Sequence, residues 1–196
     1  PPKKKSRGQK ILKTAVHVFS ENEGIKVKTN KLSDENEYKN FIKFNPDLVV
    51  VVAYGQIIPD IYLNNPDLIF LNLHASLLPK WRGAAPIERA ILNKDKETGI
   101  SIMKIEKKLD AGPFIKQVTV KIYKETTSGE LNKKLSVLGA QALKESIELI
   151  SSNKVNYNQQ NEKDATYAKK INKIETRINW KDKAENIIAK INAFNP

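Results

Sequence analysis

The sequence predicts an α/β fold with a mostly parallel central sheet, and two apolar runs carry that prediction. Residues 48–53 are rich in β-branched side chains, and residues 68–71 are apolar at every position. Strands that are buried on both faces of a parallel sheet have this composition. A short helical pattern up to Leu63 lies between the two runs. Two buried strands joined by a helical crossover form a right-handed βαβ unit.

The segment before these runs predicts two helices and a short strand. Residues 11–23 have helical spacing and are followed by Gly24, and glycine commonly ends a helix in the left-handed conformation. Residues 25–28 predict a short strand. Residues 35–44 predict a second helix, which ends before Pro46.

The alternation of helices and strands continues after the second apolar run. Residues 86–92 predict a helix with proline at its first position. Residues 100–105 and 114–122 predict two further strands. A Thr-x-x-Glu capping box at residues 127–130 opens a long amphipathic helix that runs to about residue 150.

A polar stretch then divides the chain. Residues 151–163 are rich in asparagine and glutamine, which is typical of a linker. We therefore predict a first domain at residues 1–150, a linker at residues 151–170, and the beginning of a second domain at residues 171–196.

Composition restricts the kinds of site that this chain can carry. The sequence contains no cysteine and two histidines, His17 and His74, so we expect no disulfide, no thiol nucleophile and no metal ion. No run approaches the ~20 apolar residues that span a bilayer, so no membrane segment is expected. The glycine motifs of dinucleotide and nucleoside triphosphate sites are missing from the sequence.

An asparagine and a histidine end the second apolar run. Asn72 and His74 are two residues apart, so both side chains face the same side of a strand. Ligands of open α/β sheets bind at the carboxyl ends of the strands, which makes these residues candidates for catalysis. A lone histidine near a core is more often a satisfied buried donor, but the long irregular stretch 76–87 favours a functional site.

A carboxylate is available on a later loop. Asp110 lies in a tight turn with Gly112 and Pro113, after a predicted strand. From the residues alone, two interpretations are equally good. The carboxylate caps backbone amides in an Asx-type turn, or it assists the imidazole as a catalytic group.

The start of the chain is strongly basic. The formal net charge is +12, and five cations lie within residues 3–10, with no acid before Glu21. A basic loop of this kind can clamp the phosphates of a nucleic acid. A disordered basic end is the alternative that composition leaves open.

Several motifs together resemble the folate-dependent formyltransferases, and the likeness covers nearly the whole chain. The string Asn-Leu-His-Ala-Ser-Leu-Leu-Pro at residues 72–79 and the string Leu-Asp-Ala-Gly at residues 109–112 are specific to this superfamily. The string Trp-Arg-Gly-Ala-Ala-Pro-Ile at residues 81–87 favours its tRNA-directed members, as do Ala-Thr-Tyr-Ala at residues 165–168 and Arg-Ile-Asn-Trp at residues 177–180.

The resemblance implies a Rossmann-like catalytic domain, a linker and the start of an OB-like C-terminal domain. It also implies three groups of site residues, whose members match the family's motifs position by position. Catalysis is expected from Asn72, His74 and Asp110, folate contact from Ser76, Leu77, Leu78 and Pro79, and nucleic-acid contact from Lys5, Arg7 and Lys10.

The resemblance further implies the reaction. A formyl group passes from 10-formyltetrahydrofolate to the amine of methionyl-tRNA, which leaves tetrahydrofolate and formylmethionyl-tRNA for translation initiation. Asn72 would donate to the formyl oxygen as that oxygen gains negative charge. His74 would donate a proton, and Asp110 would orient the imidazole. The implied enzyme is a monomer of the bacterial cytoplasm, or of a eukaryotic organelle.

Two other functions stay open from the sequence. Another folate-dependent formyltransferase, acting on a sugar amine or on glycinamide ribonucleotide, would share the Asn, His and Asp but would not need the basic residues 3–10. A non-catalytic basic RNA-binding module would not depend on His74.

The ends of the chain depart from the family pattern. The chain begins within the resembling basic loop and stops at Pro196. We therefore expect a fragment that lacks the first strand and helix and most of the C-terminal domain. Because the missing strand would belong inside the sheet, we expect poor activity and impaired stability.

Overall fold

The computed structural model describes residues 3–5 and 10–196. Contacts within the chain divide it into two compact units, residues 1–46 and residues 47–196. Arg7, which the sequence places in the basic loop, lies outside the described residues.

The described residues of the first unit form a strand pair and two helices. Its elements are β1 (Lys3–Lys5), β2 (Lys10–Leu12), α1 (Ala15–Asn22) and α2 (Glu35–Ile42). The two strands pair antiparallel, with Lys5 opposite Lys10. The hydroxyl of Thr14 accepts a hydrogen bond from the His17 amide and caps α1. The helix predicted for residues 11–23 is therefore shorter, because a strand and this cap occupy its first residues.

The strand predicted for residues 25–28 is not present, because this stretch is irregular in the structure. The ammonium groups of Lys26 and Lys28 lie 5.6 and 5.9 Å from the centre of the Phe44 ring. Attraction between a cation and an aromatic face favours this path. The alternation of apolar and polar residues at 25–28 is too short to specify a strand by itself.

Four strands form the central sheet of the second unit. In sheet order they are β3 (Leu48–Val52), β4 (Ile69–His74), β6 (Glu97–Lys104) and β7 (Phe114–Lys121). The first two pair parallel and are joined through the short helix α3 (Asp60–Leu63). A separate two-stranded sheet pairs β5 (Arg82–Gly83) with β8 (Tyr167–Ala168).

The α/β class predicted from the sequence is confirmed, and the four described strands of the central sheet are mixed in direction. β3 and β4 are parallel, whereas β4 with β6 and β6 with β7 are antiparallel. The length of the connection accounts for two of the three pairings, β3 with β4 and β6 with β7. Parallel neighbours need a crossover of about a dozen residues or more, which residues 53–68 provide. The shorter connection at residues 105–113 allows β7 to return beside β6 as a hairpin.

Three further helices cover the second unit. They are α4 (Pro86–Leu92), α5 (Ser128–Ser151) and α6 (Ala184–Ala193). α5 begins with the predicted capping box of Thr127 and Glu130 and packs on β6 and β7, while α6 packs on α4. Among the residues that the structure describes, no helix is long and apolar enough to cross a membrane.

The hydrophobic core lies between the sheet and α5. Its large side chains that are no more than 1 % exposed are Leu71, Ile100, Ile102, Leu131 and Leu135. Burial of a side chain of this size stabilises a fold by about 1.5–3 kcal/mol. The core therefore fixes the position of β4, the strand that carries Asn72 and His74.

The polar stretch that follows α5 is attached to this core. Val155 and Tyr157 pack against it, and the backbone of Asn158 exchanges two hydrogen bonds with Phe114. β8 then pairs with β5. The division into a domain at residues 1–150 and a linker at residues 151–170 stays a prediction, but the residues assigned to the linker contact the sheet.

Candidate active site

Asn72 and His74 lie at the carboxyl end of β4, as expected. In the pairing with β6, Asn72 is opposite Met103 and His74 is opposite Ser101. Because the two residues are separated by one position on a strand, their side chains lie on the same face. His74 is only 6 % exposed, whereas Asn72 is half-buried. The strand thus presents an amide and a largely enclosed imidazole side by side.

The loop between β6 and β7 brings Asp110 to these two side chains. Its Oδ2 atom lies 3.7 Å from Nδ1 of His74, and its Oδ1 atom lies 3.5 Å from Nδ2 of Asn72. The backbone N–H of Gly83 donates a 2.8 Å hydrogen bond to Oδ2. The three predicted catalytic residues therefore converge, although only the bond from Gly83 is short.

The second ring nitrogen of His74 is committed to the backbone. Nε2 lies 2.9 Å from the carbonyl oxygen of Trp81, which can only accept, so Nε2 carries the hydrogen. Trp81 is itself held in place, because its N–H donates to Thr166 Oγ1 at 2.8 Å and its indole donates to Asp95 at 2.7 Å. Nδ1 is therefore the nitrogen that can exchange a proton beside Asp110.

The four residues predicted to contact folate form the turn after His74. Ser76 is fully buried, and its hydroxyl donates to the carbonyl of Lys80 at 2.6 Å. Leu78 is 3 % exposed, whereas Leu77 and Pro79 are half-buried. The side chains of Ser76 and Leu78 are thus used within the protein, while Leu77 and Pro79 retain apolar surface.

Two polar side chains of the sheet support this turn from below. The hydroxyl of Ser101 donates to the carbonyl of Ser76 at 2.7 Å and accepts from the N–H of Leu78 at 3.0 Å. Gln117 donates to the carbonyl of Leu78 at 2.8 Å. Buried polar groups must find partners inside a protein, so these bonds fix the backbone of the turn relative to His74.

Arg82 forms the centre of a polar cluster beside the Asp110 loop. Its side chain is fully buried and donates to Gln160 Oε1 at 2.8 and 3.0 Å and to the carboxylate of Glu162 at 2.9 and 3.2 Å. Lys108 lies 2.5 Å from the same carboxylate. Hydrogen bonds from Arg82 and then from Lys108 lower the pKa of Glu162 to about 2.

This shift predicts a pH dependence of stability. A carboxyl whose pKa is lower in the folded state than its ordinary 4.5 stabilises the fold above that value, and the contribution is lost as the pH falls towards 2. The melting temperature of Glu162→Gln should therefore lie below that of the wild type at pH 6, and the two should meet near pH 2. Glu148→Gln, an exposed change on α5, should follow the wild type at every pH. A constant difference between Glu162→Gln and the wild type would contradict this explanation.

Trp81 also lines a cleft outside the group formed by Asn72, His74 and Asp110. The cleft has a volume of about 680 Å³, and Arg89, Tyr167, Lys169 and Glu175 are among its lining residues. Arg89 donates to the carbonyl of Lys169 and to the carboxylate of Glu175. These bonds attach the segment after β8 to α4, so the guanidinium serves the fold.

The described residues contain no group of three or more His, Cys, Asp or Glu side chains that could hold a metal ion. The candidate site itself brings together two side chains of these types, His74 and Asp110.

The residues predicted to bind nucleic acid lie in the first unit. Lys5 and Lys10 are opposite each other in the pairing of β1 with β2. The backbone thus places two of the three predicted cations at neighbouring positions.

Sequence reasoning missed several residues that hold the site. Gln160 lies in the stretch predicted to be a linker, and Ser101 and Gln117 lie on predicted strands. The sequence pattern does not show whether a polar side chain at such a position supports the site or faces the solvent. Trp81, Arg82 and Gly83 could have been found, because they form the Trp-Arg-Gly string.

Comparison with known proteins gives consistent matches. Residues 1–147 match the family model described as Formyl transferase. The chain is 48 % identical over 198 residues to the methionyl-tRNA formyltransferase of Pelagibacter ubique, covering 100 % of this chain and 64 % of the relative. It is 44 % identical to the methionyl-tRNA formyltransferase of Coxiella burnetii, covering 100 % of this chain and 63 % of that relative. The chain thus spans a little under two thirds of the length of these relatives.

Solved structures share the fold. The sugar 3N-formyl transferase WlaRD, crystallised in the presence of dTDP and 5-N-formyl-THF, has a TM-score of 0.72 at 24 % identity, covering 90 % of this chain and 61 % of that one. An N-formyltransferase from Helicobacter canadensis, in complex with folinic acid and dTDP-3-aminofucose, has a TM-score of 0.70 at 24 % identity. The match covers 98 % of this chain and 68 % of that one. At this identity the likeness concerns the fold.

Proposed function

This chain belongs to the formyl transferase family, and on that premise we propose that the protein transfers a formyl group from 10-formyltetrahydrofolate to the amino group of methionyl-tRNA. The convergence of Asn72, His74 and Asp110 carries the proposal. The choice of acceptor is supported by relatives that bear the name methionyl-tRNA formyltransferase and match over the whole chain.

The reaction sets three chemical requirements. The acceptor amine forms a bond to the formyl carbon, and the bond from that carbon to the folate nitrogen breaks. One proton leaves the amine, and one proton reaches the departing nitrogen. In the transition state the formyl oxygen carries negative charge. A site therefore needs a donor for this oxygen, a group that moves a proton, and rigid orientation of both substrates.

Asn72 is proposed as the donor for the formyl oxygen. Its side-chain amide has two N–H groups, and its described contact is the long 3.5 Å approach to Asp110. An N–H is therefore available for a substrate oxygen. A donor that is already fixed on a strand stabilises developing charge without having to reorganise.

His74 is proposed to move the proton through Nδ1, because the Trp81 carbonyl occupies Nε2. Asp110 lies 3.7 Å from Nδ1, so its carboxylate can stabilise positive charge on the ring as the proton passes. This distance is longer than a hydrogen bond, and catalytic hydrogen bonds of proteins without substrate are often long. The bond from Gly83 keeps the carboxylate in place meanwhile.

The turn at residues 76–79 is proposed to contact the folate. The half-buried side chains of Leu77 and Pro79 offer apolar surface next to His74, which suits the flat ring system of the donor. The side chains of Ser76 and Leu78 are buried, so any contact of these two residues with the folate would use their backbone. When bound, the donor supplies a formyl group on an activated nitrogen.

The basic start of the chain is proposed to bind the tRNA backbone through Lys5, Arg7 and Lys10. Lys5 and Lys10 are opposite each other in the backbone pairing of β1 with β2, and lysines can neutralise the phosphates of a nucleic acid. Translation initiation would place the protein in the cytoplasm of a bacterium.

The experiment that tests the proposal measures transfer from 10-formyltetrahydrofolate to three acceptors with the complete gene product. Methionyl-tRNA should be formylated, whereas a free amino sugar nucleotide and glycinamide ribonucleotide should not. Activity on either small amine alone would overturn the tRNA assignment. Absence of transfer to all three would favour a non-catalytic RNA-binding module.

The contribution of the basic residues can be measured separately. Arg7→Ala should raise the KM for methionyl-tRNA and reduce its dependence on salt, because one phosphate contact fewer lowers the number of counterions released. The KM for the folate should not change. Lys154→Ala, a cation removed from an exposed position after α5, is the matched control. An unchanged KM and salt dependence in Arg7→Ala would remove this residue from the proposed interface.

A further inference from the structure

We propose that Gln160 is a positioning residue for the proposed formyl transfer, acting through Asp110. Its side-chain Nε2 donates to the carbonyl of Asp110 at 2.9 Å and to the carbonyl of Gly112 at 2.6 Å. These two bonds hold the loop on both sides of Ala111. The inference rests on the proposed function, because it concerns the same site.

The orientation of the Gln160 amide is fixed by its other neighbour. Arg82 is fully buried and donates to Oε1 of Gln160 through two nitrogens. A guanidinium can only donate, so the amide oxygen must face Arg82 and the NH₂ group must face the loop. Arg82 is held in turn by the carboxylate of Glu162. The chain of contacts therefore runs from Glu162 through Arg82 and Gln160 to Asp110.

The Asp110 loop needs such a support. Asp110 has a φ angle of +47°, in the left-handed region that residues with a side chain adopt uncommonly. In this conformation the carboxylate accepts from Gly83 and lies within ion-pair distance of His74. If the two bonds from Gln160 are lost, the loop can relax towards an unstrained conformation, and Asp110 moves relative to the imidazole.

Gln160→Glu isolates this role from the packing of Arg82. The substituted carboxylate keeps an acceptor for the guanidinium but has no N–H groups for the two loop carbonyls. Gln159 is the neighbouring glutamine and is exposed, so Gln159→Glu makes the same change of charge without these contacts. Gln160→Ala serves as a second variant, which removes the contacts with both Arg82 and the loop carbonyls.

The first measurement is the NMR spectrum of the imidazole side chains in the complete gene product, in which the His74 signals are assigned by their absence from His74→Ala. The sequence has two histidines, so His17 in α1 is an internal reference for His74. We expect the His74 ring signals to shift in Gln160→Glu and in Gln160→Ala, while the His17 signals stay unchanged. In Gln159→Glu the signals of both histidines should stay unchanged. Unchanged His74 signals in folded Gln160 variants would overturn the proposal. A shift would support it, because a role in stability alone does not alter the environment of the ring.

The second measurement is turnover in the complete gene product. Gln160→Glu should lower kcat about 10- to 100-fold at unchanged KM for methionyl-tRNA, as is typical when a supporting partner of a reactive group is lost. In an Asp110→Ala background the same change should have little further effect, since Gln160 acts through Asp110. Full additivity of the two changes would contradict the inference.

The two proposals can fail separately. If the wild-type protein formylates no acceptor but the His74 signals shift in the Gln160 variants, the proposed function is wrong and the positioning stands. If methionyl-tRNA is formylated and Gln160→Glu is as active as Gln159→Glu, the positioning is wrong and the function stands.

Discussion

Replacement of His74 by alanine should lower the turnover of formyl transfer about 10²- to 10⁴-fold, the range typical for loss of a positioned acid or base. The contacts of the imidazole explain this expectation. Nδ1 is the ring nitrogen that faces the carboxylate of Asp110, and Nε2 is held by the carbonyl of Trp81. A water molecule that enters the vacated space would lack both the fixed orientation and the basicity of the ring.

The change should leave the chain folded. His74 makes one described hydrogen bond to the backbone, and loss of a partner for a buried carbonyl costs about 1–3 kcal/mol. The measurement is steady-state transfer to methionyl-tRNA by the complete gene product, with circular dichroism as a check of folding. His17→Ala is the matched control, because His17 pairs with Glu21 on α1, away from β4 along the chain. Equal turnover in both variants would exclude His74 from the chemistry.

Local patterns were sufficient to predict the elements that build the site. The apolar runs predicted the positions of β3 and β4. The burial of β3 on both faces was not confirmed, because Val50 and Val52 are 40 % and 52 % exposed. Thr127 and Glu130 form the capping box that their spacing predicted. These features depend on neighbours within a few residues of one another, which is the range over which a sequence can be interpreted directly.

Pairing direction and loop anchoring could not be predicted in this way. The hairpin of β6 and β7 is antiparallel, which depends on how the strands meet and not on their composition. The stretch after α5 looked like a linker because it is polar. The division stays a prediction, and the polar side chain of Gln160 in this stretch bonds to Arg82 and to the carbonyl of Asp110.

The same limit applies to the site. The strand pattern and the spacing indicated Asn72 and His74 as candidates, whereas the choice of a catalytic role for Asp110 came from a resemblance. Asp110 reaches them through a bond from Gly83, which lies 27 residues earlier, and through Gln160, which lies 50 residues later. Contacts over such separations are set by tertiary packing, so they were visible only in the structure.

Asp110→Asn should reduce turnover by about 100-fold or more while preserving the loop, and this result would decide between the two roles that the sequence left open. Asparagine tolerates the left-handed conformation that Asp110 adopts at φ +47°. Its amide oxygen can still accept the hydrogen bond from Gly83. If the carboxylate were only a cap for backbone amides, the variant should therefore be nearly as active as the wild type.

A catalytic role makes a different demand, because the negative charge itself is needed beside Nδ1 of His74. The amide cannot stabilise positive charge on the ring as the proton passes, so kcat should fall while the KM for each substrate stays near its wild-type value. Asp67→Asn, an exposed change in the turn before β4, controls for the loss of one charge. Wild-type turnover in Asp110→Asn would assign the carboxylate to the turn, and the proton transfer would then have to depend on His74 without a charged partner.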